Sequence, residues 1–93
     1  MPISPGLHAT VEITVADSDT AASLGSGDVA VLGTPRVIAL CEAASIAALD
    51  GAMEPGMTSV GMRVQLEHIA PTAVGAMVKA ESNLEKVEGR RLT

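Results

Sequence analysis

An α+β domain, with one long helix packed on an antiparallel sheet, is the fold class this sequence predicts. Three observations carry that expectation. Leu7, Ala9, Val11, Ile13 and Val15 alternate with His8, Thr10, Glu12 and Thr14, the period of two that marks a half-buried strand. Thr34 to Gly51 reads T-P-R-V-I-A-L-C-E-A-A-S-I-A-A-L-D-G, a helix framed by Thr34 as N-cap, Pro35 at the first helical position and Gly51 as the stop. After the helix the period of two returns twice in succession. A strand, a long helix and then consecutive strands make a helix laid on a sheet.

Each element follows in turn. Past the first strand, Asp17 or Ser18 would cap a short helical turn through Ala21 and Leu24, which Gly25-Ser26-Gly27 ends. Asp28 to Gly33 is an apolar, extended connector with no evident role. The long helix is apolar nearly all the way round, so a sheet should cover one side and a second subunit another. A turn at Glu54-Pro55-Gly56 leads to a second strand. On it Val60, Met62, Val64, Leu66 and His68 share one face, with Ser59, Gly61, Arg63, Gln65 and Glu67 on the other, until Pro71 ends it. A third strand turns Val74, Ala76, Val78, Ala80 and Leu84 inward and Lys79, Glu81, Asn83 and Glu85 outward. Glu88-Gly89 predicts a tight turn, and Arg90-Arg91-Leu92-Thr93 begins a further strand. So short a last strand makes a poor sheet edge. The expectation is therefore a single domain over residues 1–93 whose last strands are missing.

Composition narrows the partners. At 93 residues, with 47% hydrophobic and 18% charged residues, the chain is one small globular domain rather than a disordered segment. Its net charge of -5, six basic residues and complete lack of aromatic side chains argue against a nucleic-acid partner. Phosphate binding needs clustered Lys and Arg, and base stacking needs rings. The start, M-P-I-S-P-G-L-H, has no signal-peptide pattern, and Glu42 and Ser45 interrupt the longest apolar stretch. The expectation is a cytoplasmic protein with no membrane partner. Cys41, the one cysteine, forms no intrachain disulfide and reads as a small buried hydrophobe. No phosphate loop, metal-ligand cluster or Ser-His-Asp pattern is present, so neither metal nor cofactor is expected.

The residues able to do chemistry are few. Glu42 stands among Val37, Ile38, Leu40, Ala43, Ile46 and Leu49, where a covered helix would give a carboxylate little water. Such a charge is neutralised, partnered or at work. His68 continues the apolar face of the second strand, points towards the helix layer and is the expected partner of Glu42. A carboxylate beside an imidazole suits general acid-base or nucleophilic work on an acyl group. Thr34 is the third candidate, a hydroxyl at a helix start where the dipole favours developing negative charge. Thr34 and Glu42 are eight residues apart, roughly 12 Å along a straight helix. Either the Thr34-Pro35 segment folds back, or residues from two chains combine. Gly61 interrupts the second strand, which marks a bulge or a close backbone approach by a ligand or another chain.

G-S-G-D-V-A-V-L-G-T-P from Gly25 to Pro35, A-L-C-E at 39–42, G-M-T-S-V-G at 56–61, L-E-H at 66–68 and V-E-G-R-R-L-T at the end resemble the fluoroacetyl-CoA thioesterase-like family. The resemblance runs from about Leu7 to Thr93. It implies a hotdog fold, an antiparallel sheet wrapped around one long central helix, with active sites at a dimer interface. It also implies that Thr34, Glu42 and His68 correspond to the family's catalytic threonine, glutamate and histidine, and Gly61 to a glycine whose backbone lies close to the substrate. The implied reaction is hydrolysis of an acyl-CoA thioester by a homodimer or higher homo-oligomer. Two departures stand out. The family domain continues past the position of Thr93, and an arginine of its substrate site lies there. Family members selective for fluoroacetyl place aromatic side chains over the acyl pocket, where this chain has Gly25 and Asp28. A thioesterase for a general small acyl group is the expectation. A non-catalytic acyl-CoA-binding or scaffolding hotdog module is the alternative. An interaction domain with Glu42 and His68 as a structural pair is the third reading.

Overall fold

The computed structural model describes residues 3–93. Strand β1 (His8–Thr14) leads through a 3-10 turn (Asp17–Asp19) and a one-turn helix α1 (Ala21–Leu24) to the long helix α2 (Thr34–Ala48). Strand β2 (Met77–Asn83) and a small hairpin of β3 (Val87–Glu88) and β4 (Arg91–Leu92) complete the order. β1 and β2 pair antiparallel over their full lengths, from His8 opposite Asn83 to Thr14 opposite Met77. The hairpin turns at Gly89, whose φ of 61° suits glycine.

The alternation of β1 does what its period predicts. Ala9, Val11 and Ile13 face inward, His8, Thr10, Glu12 and Thr14 face out, and Val15 at the end of the strand is fully buried. Leu40 and Ala44 of α2 meet Ala80 of β2, with Val11, Ile13 and Val78 packed around them. Leu40, Ala44 and Ala48, the buried residues of α2, recur every four positions, so one face of the helix alone lies on the sheet.

The N-terminus of α2 is held more tightly than its sequence suggests. Gly33, not Thr34, is the N-cap, and Thr34 is the first residue within the helix, with Pro35 in the first turn. The Gly33 N–H donates to the Asp19 carbonyl at 2.9 Å. A Cβ at Gly33 would lie 3.0–3.1 Å from Leu24 Cδ1 and the Ala21 backbone, so the absent side chain lets α1 close against the start of α2. The Arg36 Nε donates to Asp19 Oδ1 at 2.8 Å. α1 is capped by Thr20 rather than by Asp17 or Ser18: its hydroxyl accepts the Ser23 N–H at 3.2 Å and donates to the Asp17 carbonyl at 2.8 Å. The preceding 3-10 turn takes up Asp17 and Ser18 and moves the cap along the chain. The apolar connector is stitched into place, because the Leu32 N–H donates to the Thr72 carbonyl and the Ala21 N–H to the Val31 carbonyl, each at 2.8 Å.

Three expectations need correction. The second strand, Ser59 to His68, takes no regular secondary structure and joins no sheet, a ribbon of chain without a ladder. Among the described residues no backbone hydrogen bond ties residues 58–69 to another strand. A strand exists through its ladder, and the sheet neighbour that this ribbon needs is not supplied by the rest of the described chain. Its apolar side chains stay exposed, Val60 at 86% and Met62 at 69%. Val74 falls in the turn at Gly75 before β2 and is exposed. Finally, α2 is covered on one side only. Ala39, Cys41, Glu42, Ala43 and Ile46 are exposed, so neither the carboxylate nor the thiol is buried within the chain. Glu42 is two residues from Leu40 and therefore points to the opposite side of the helix. The radius of gyration, 14.8 Å, exceeds the roughly 12 Å of a compact domain of this length.

Candidate active site

The ribbon crosses the open face of α2 and meets it at two places. At the start of the helix, His68 Nδ1 and Thr34 Oγ1 are 2.8 Å apart and hydrogen-bonded. Thr34 can turn its hydroxyl there because Gly33 has taken over the cap. Further along, the Glu42 carboxylate lies against Gly61, with Oε2 2.7 Å from the point where a Cβ would stand. So His68 does point at the helix layer, but its partner is Thr34, not Glu42. The eight-residue rise between Thr34 and Glu42 separates them by roughly 12 Å. α2 runs unbroken from Thr34 to Ala48, so the Thr34-Pro35 segment does not fold back. One chain thus makes two separate pairings, Thr34 with His68 and Glu42 with Gly61. Among the described residues Glu42 has no hydrogen-bond partner.

An open groove of about 320 Å³ adjoins the Thr34–His68 pair. Thr34, His68, Ser26, Ile69 and Pro71 line it together with Asp28, Val29 and Val31 of the connector. The connector from Asp28 to Gly33, which has no evident role in the sequence, lines this groove; its signal is an apolar run too short for a helix and flanked by glycines. Asp19, the other carboxylate near the helix start, is structural. The Ala16 N–H and the Arg36 guanidinium hold it below its ordinary value of 3.8. Among the described residues no group of three His, Cys, Asp or Glu side chains is placed to hold a metal ion, and no helix is long and apolar enough to cross a membrane.

A long helix on an antiparallel sheet, with a groove at its N-terminus, is the hotdog fold, and solved structures of that class superpose closely. The fluoroacetyl-CoA thioesterase FlK matches 99% of this chain and 73% of its own, with a TM-score of 0.88 and 31% identity. A phenylalanine-to-alanine variant of that enzyme, solved with fluoroacetate and CoA, matches 97% of this chain and 77% of its own, with a TM-score of 0.89 and 29% identity. The fluoroacetyl-CoA thioesterase of Streptantibioticus cattleyicolor is 36% identical over 63 residues, which are 68% of this chain and 45% of that relative. The chain therefore spans under half the length of this curated relative. The model of the fluoroacetyl-CoA-specific thioesterase family matches residues 15–93. The chain belongs to that family.

Proposed function

We propose that this protein hydrolyses the thioester of a small acyl-CoA, and that two copies of the chain build each site. The hydrogen bond between Thr34 and His68 at the wall of the groove carries the reading. With Nδ1 engaged by Thr34, Nε2 is the ring nitrogen left to exchange a proton. Thr34 orients the imidazole, and its own N–H, which has no backbone partner among the described residues, is the first-turn donor available to developing oxyanion charge. Glu42 attacks the thioester carbonyl or activates water for that attack. In the first route water then hydrolyses the acyl anhydride formed on Glu42; in both the C–S bond breaks, water's oxygen ends in the free acid, and the proton lost by water reaches the departing CoA thiolate through His68 Nε2.

Glu42 serves this chemistry from the second copy. An unbroken α2 keeps Thr34 and Glu42 of one chain apart. A partner laid on the open helix face would bring its own Glu42 to the Thr34–His68 pair and cover Ala39, Ala43 and Ile46. Apolar side chains left exposed in such a stripe mark an interaction surface. The groove holds no aromatic lid, since the chain has no aromatic residue, so the acyl preference is general rather than fluoroacetyl-selective. Glu42→Ala and His68→Ala each lower hydrolysis of acetyl-CoA by at least ~10²-fold, the contribution of a positioned acid-base or nucleophilic group. Release of free CoA reads the rate. Full activity in both variants contradicts the assignment. Calorimetric binding of CoA esters by the unaltered protein without turnover would favour a non-catalytic module.

A further inference from the structure

Gly61 is a glycine for a reason its backbone does not supply. Six of the nine glycines take positive φ, a conformation that side chains disfavour, but Gly61 is not among them. What Gly61 offers is empty space, and that space is taken. Its missing Cβ would stand 2.7 Å from Glu42 Oε2 and 3.8 Å from Glu42 Cδ, and it would meet nothing else within 4 Å. Resting on the thioesterase reading above, we infer that Gly61 is a positioning residue for Glu42: the volume it leaves free is the seat of the carboxylate.

The physical argument is one of occupancy. Glu42 lies on the uncovered side of α2 and has no hydrogen-bond partner among the described residues, so its torsions are restrained by packing alone. The ribbon backbone at Gly61 is the surface on which the carboxylate rests. With a methyl group there, the carboxylate must retreat by about 0.7 Å to move from 2.7 Å to ordinary contact at 3.4 Å. The atom displaced is the far end of a flexible side chain, so the fold absorbs the change while the reacting group moves. Misplacing such a group by about 1 Å costs on the order of 10²-fold in rate. This differs from the expectation that the Gly61 backbone lies close to the substrate, where an added methyl would burden binding instead.

A double-mutant cycle separates the two. kcat and KM for acetyl-CoA are measured for the unaltered protein, Gly61→Ala, Glu42→Asp and the double variant. Glu42→Asp withdraws the carboxylate by one methylene from the space at Gly61. The expected result is a kcat at least ~10-fold lower for Gly61→Ala, with KM within about threefold. In the Glu42→Asp background the same methyl then changes kcat by less than about twofold. Equal losses in both backgrounds, or a loss confined to KM, would overturn the inference. If the unaltered protein hydrolyses no thioester, the thioesterase reading fails by itself. Crystal structures of the unaltered protein and Gly61→Ala then decide the positioning role. A displaced Glu42 carboxylate over an unmoved ribbon supports it, and an unmoved carboxylate over a shifted ribbon overturns it.

Discussion

Thr34 does two things that a helix N-cap does not. It sits inside the first turn, and its hydroxyl is committed to His68 rather than to the helix backbone. Thr34→Val keeps the shape and removes the hydrogen bond, so kcat for acetyl-CoA should fall at least ~10-fold, while Thr34→Ser stays within about threefold. Equal rates in the two variants would show that the hydroxyl orients nothing. At this scale the sequence pattern points to Thr34, Glu42, His68 and Gly61, and the structure pairs Thr34 with His68 and Glu42 with Gly61 rather than Glu42 with His68. Glu42 and His68 look like natural partners because one lies mid-helix and the other ends an apolar strand face. The pairing depends on where the ribbon crosses the helix, and neither periodicity nor composition encodes a crossing point. Glu42 also drew attention as a buried charge, yet it is exposed in the chain because the sheet covers only the Leu40 face.

The start of α2 is the element that places Thr34 against His68. Three contacts pin it: Arg36 to Asp19, the Gly33 N–H to the Asp19 carbonyl, and the close seat of Gly33 on α1. Gly33→Ala pushes a methyl into Leu24 Cδ1 and the Ala21 backbone, and the overpacking should cost about 1–3 kcal/mol in denaturant unfolding. Leu40→Ala, which hollows the helix-sheet contact, should cost about 2–5 kcal/mol. Asp19 adds a pH dependence with a definite sign. Its folded value is depressed below 3.8, so its contribution to stability is fully present above that pH and is lost as pH falls through the folded value. Acid unfolding of Asp19→Asn should therefore show less loss of stability below pH 3.8 than the unaltered protein. An unchanged acid profile would remove Asp19 from the account. The elements themselves were largely readable. β1, α2, β2 and the turn at Gly89 follow from period and punctuation, because each carries its own local signal. The stretch from Ser59 to His68 has the same period and forms no ladder. A strand's period reports which side chains share a face, and says nothing of whether a neighbour is present to pair with.

Among the described residues, the Ala39–Ile46 side of α2 and the ribbon beside it are exposed. The molecule measures 42 × 24 × 22 Å. A two-fold pairing across that side would bury both surfaces and set the Glu42 of each copy near the Thr34–His68 pair of the other. Such an interface is isologous, so each dimer would hold two equivalent sites. Sedimentation of the unaltered protein should show a dimer or higher oligomer, and Ile46→Glu, which puts a charge at the centre of the stripe, should shift it to monomer. That placement is the central claim, and complementation tests it most directly. Glu42→Ala and His68→Ala chains, each inactive alone, are unfolded together, refolded as a mixture and assayed on acetyl-CoA. Random pairing makes half of the dimers mixed, each with one intact site, so the mixture should recover about a quarter of the unaltered rate. A mixture as inactive as its components, although the unaltered protein refolds to full activity, would contradict a site shared between two chains.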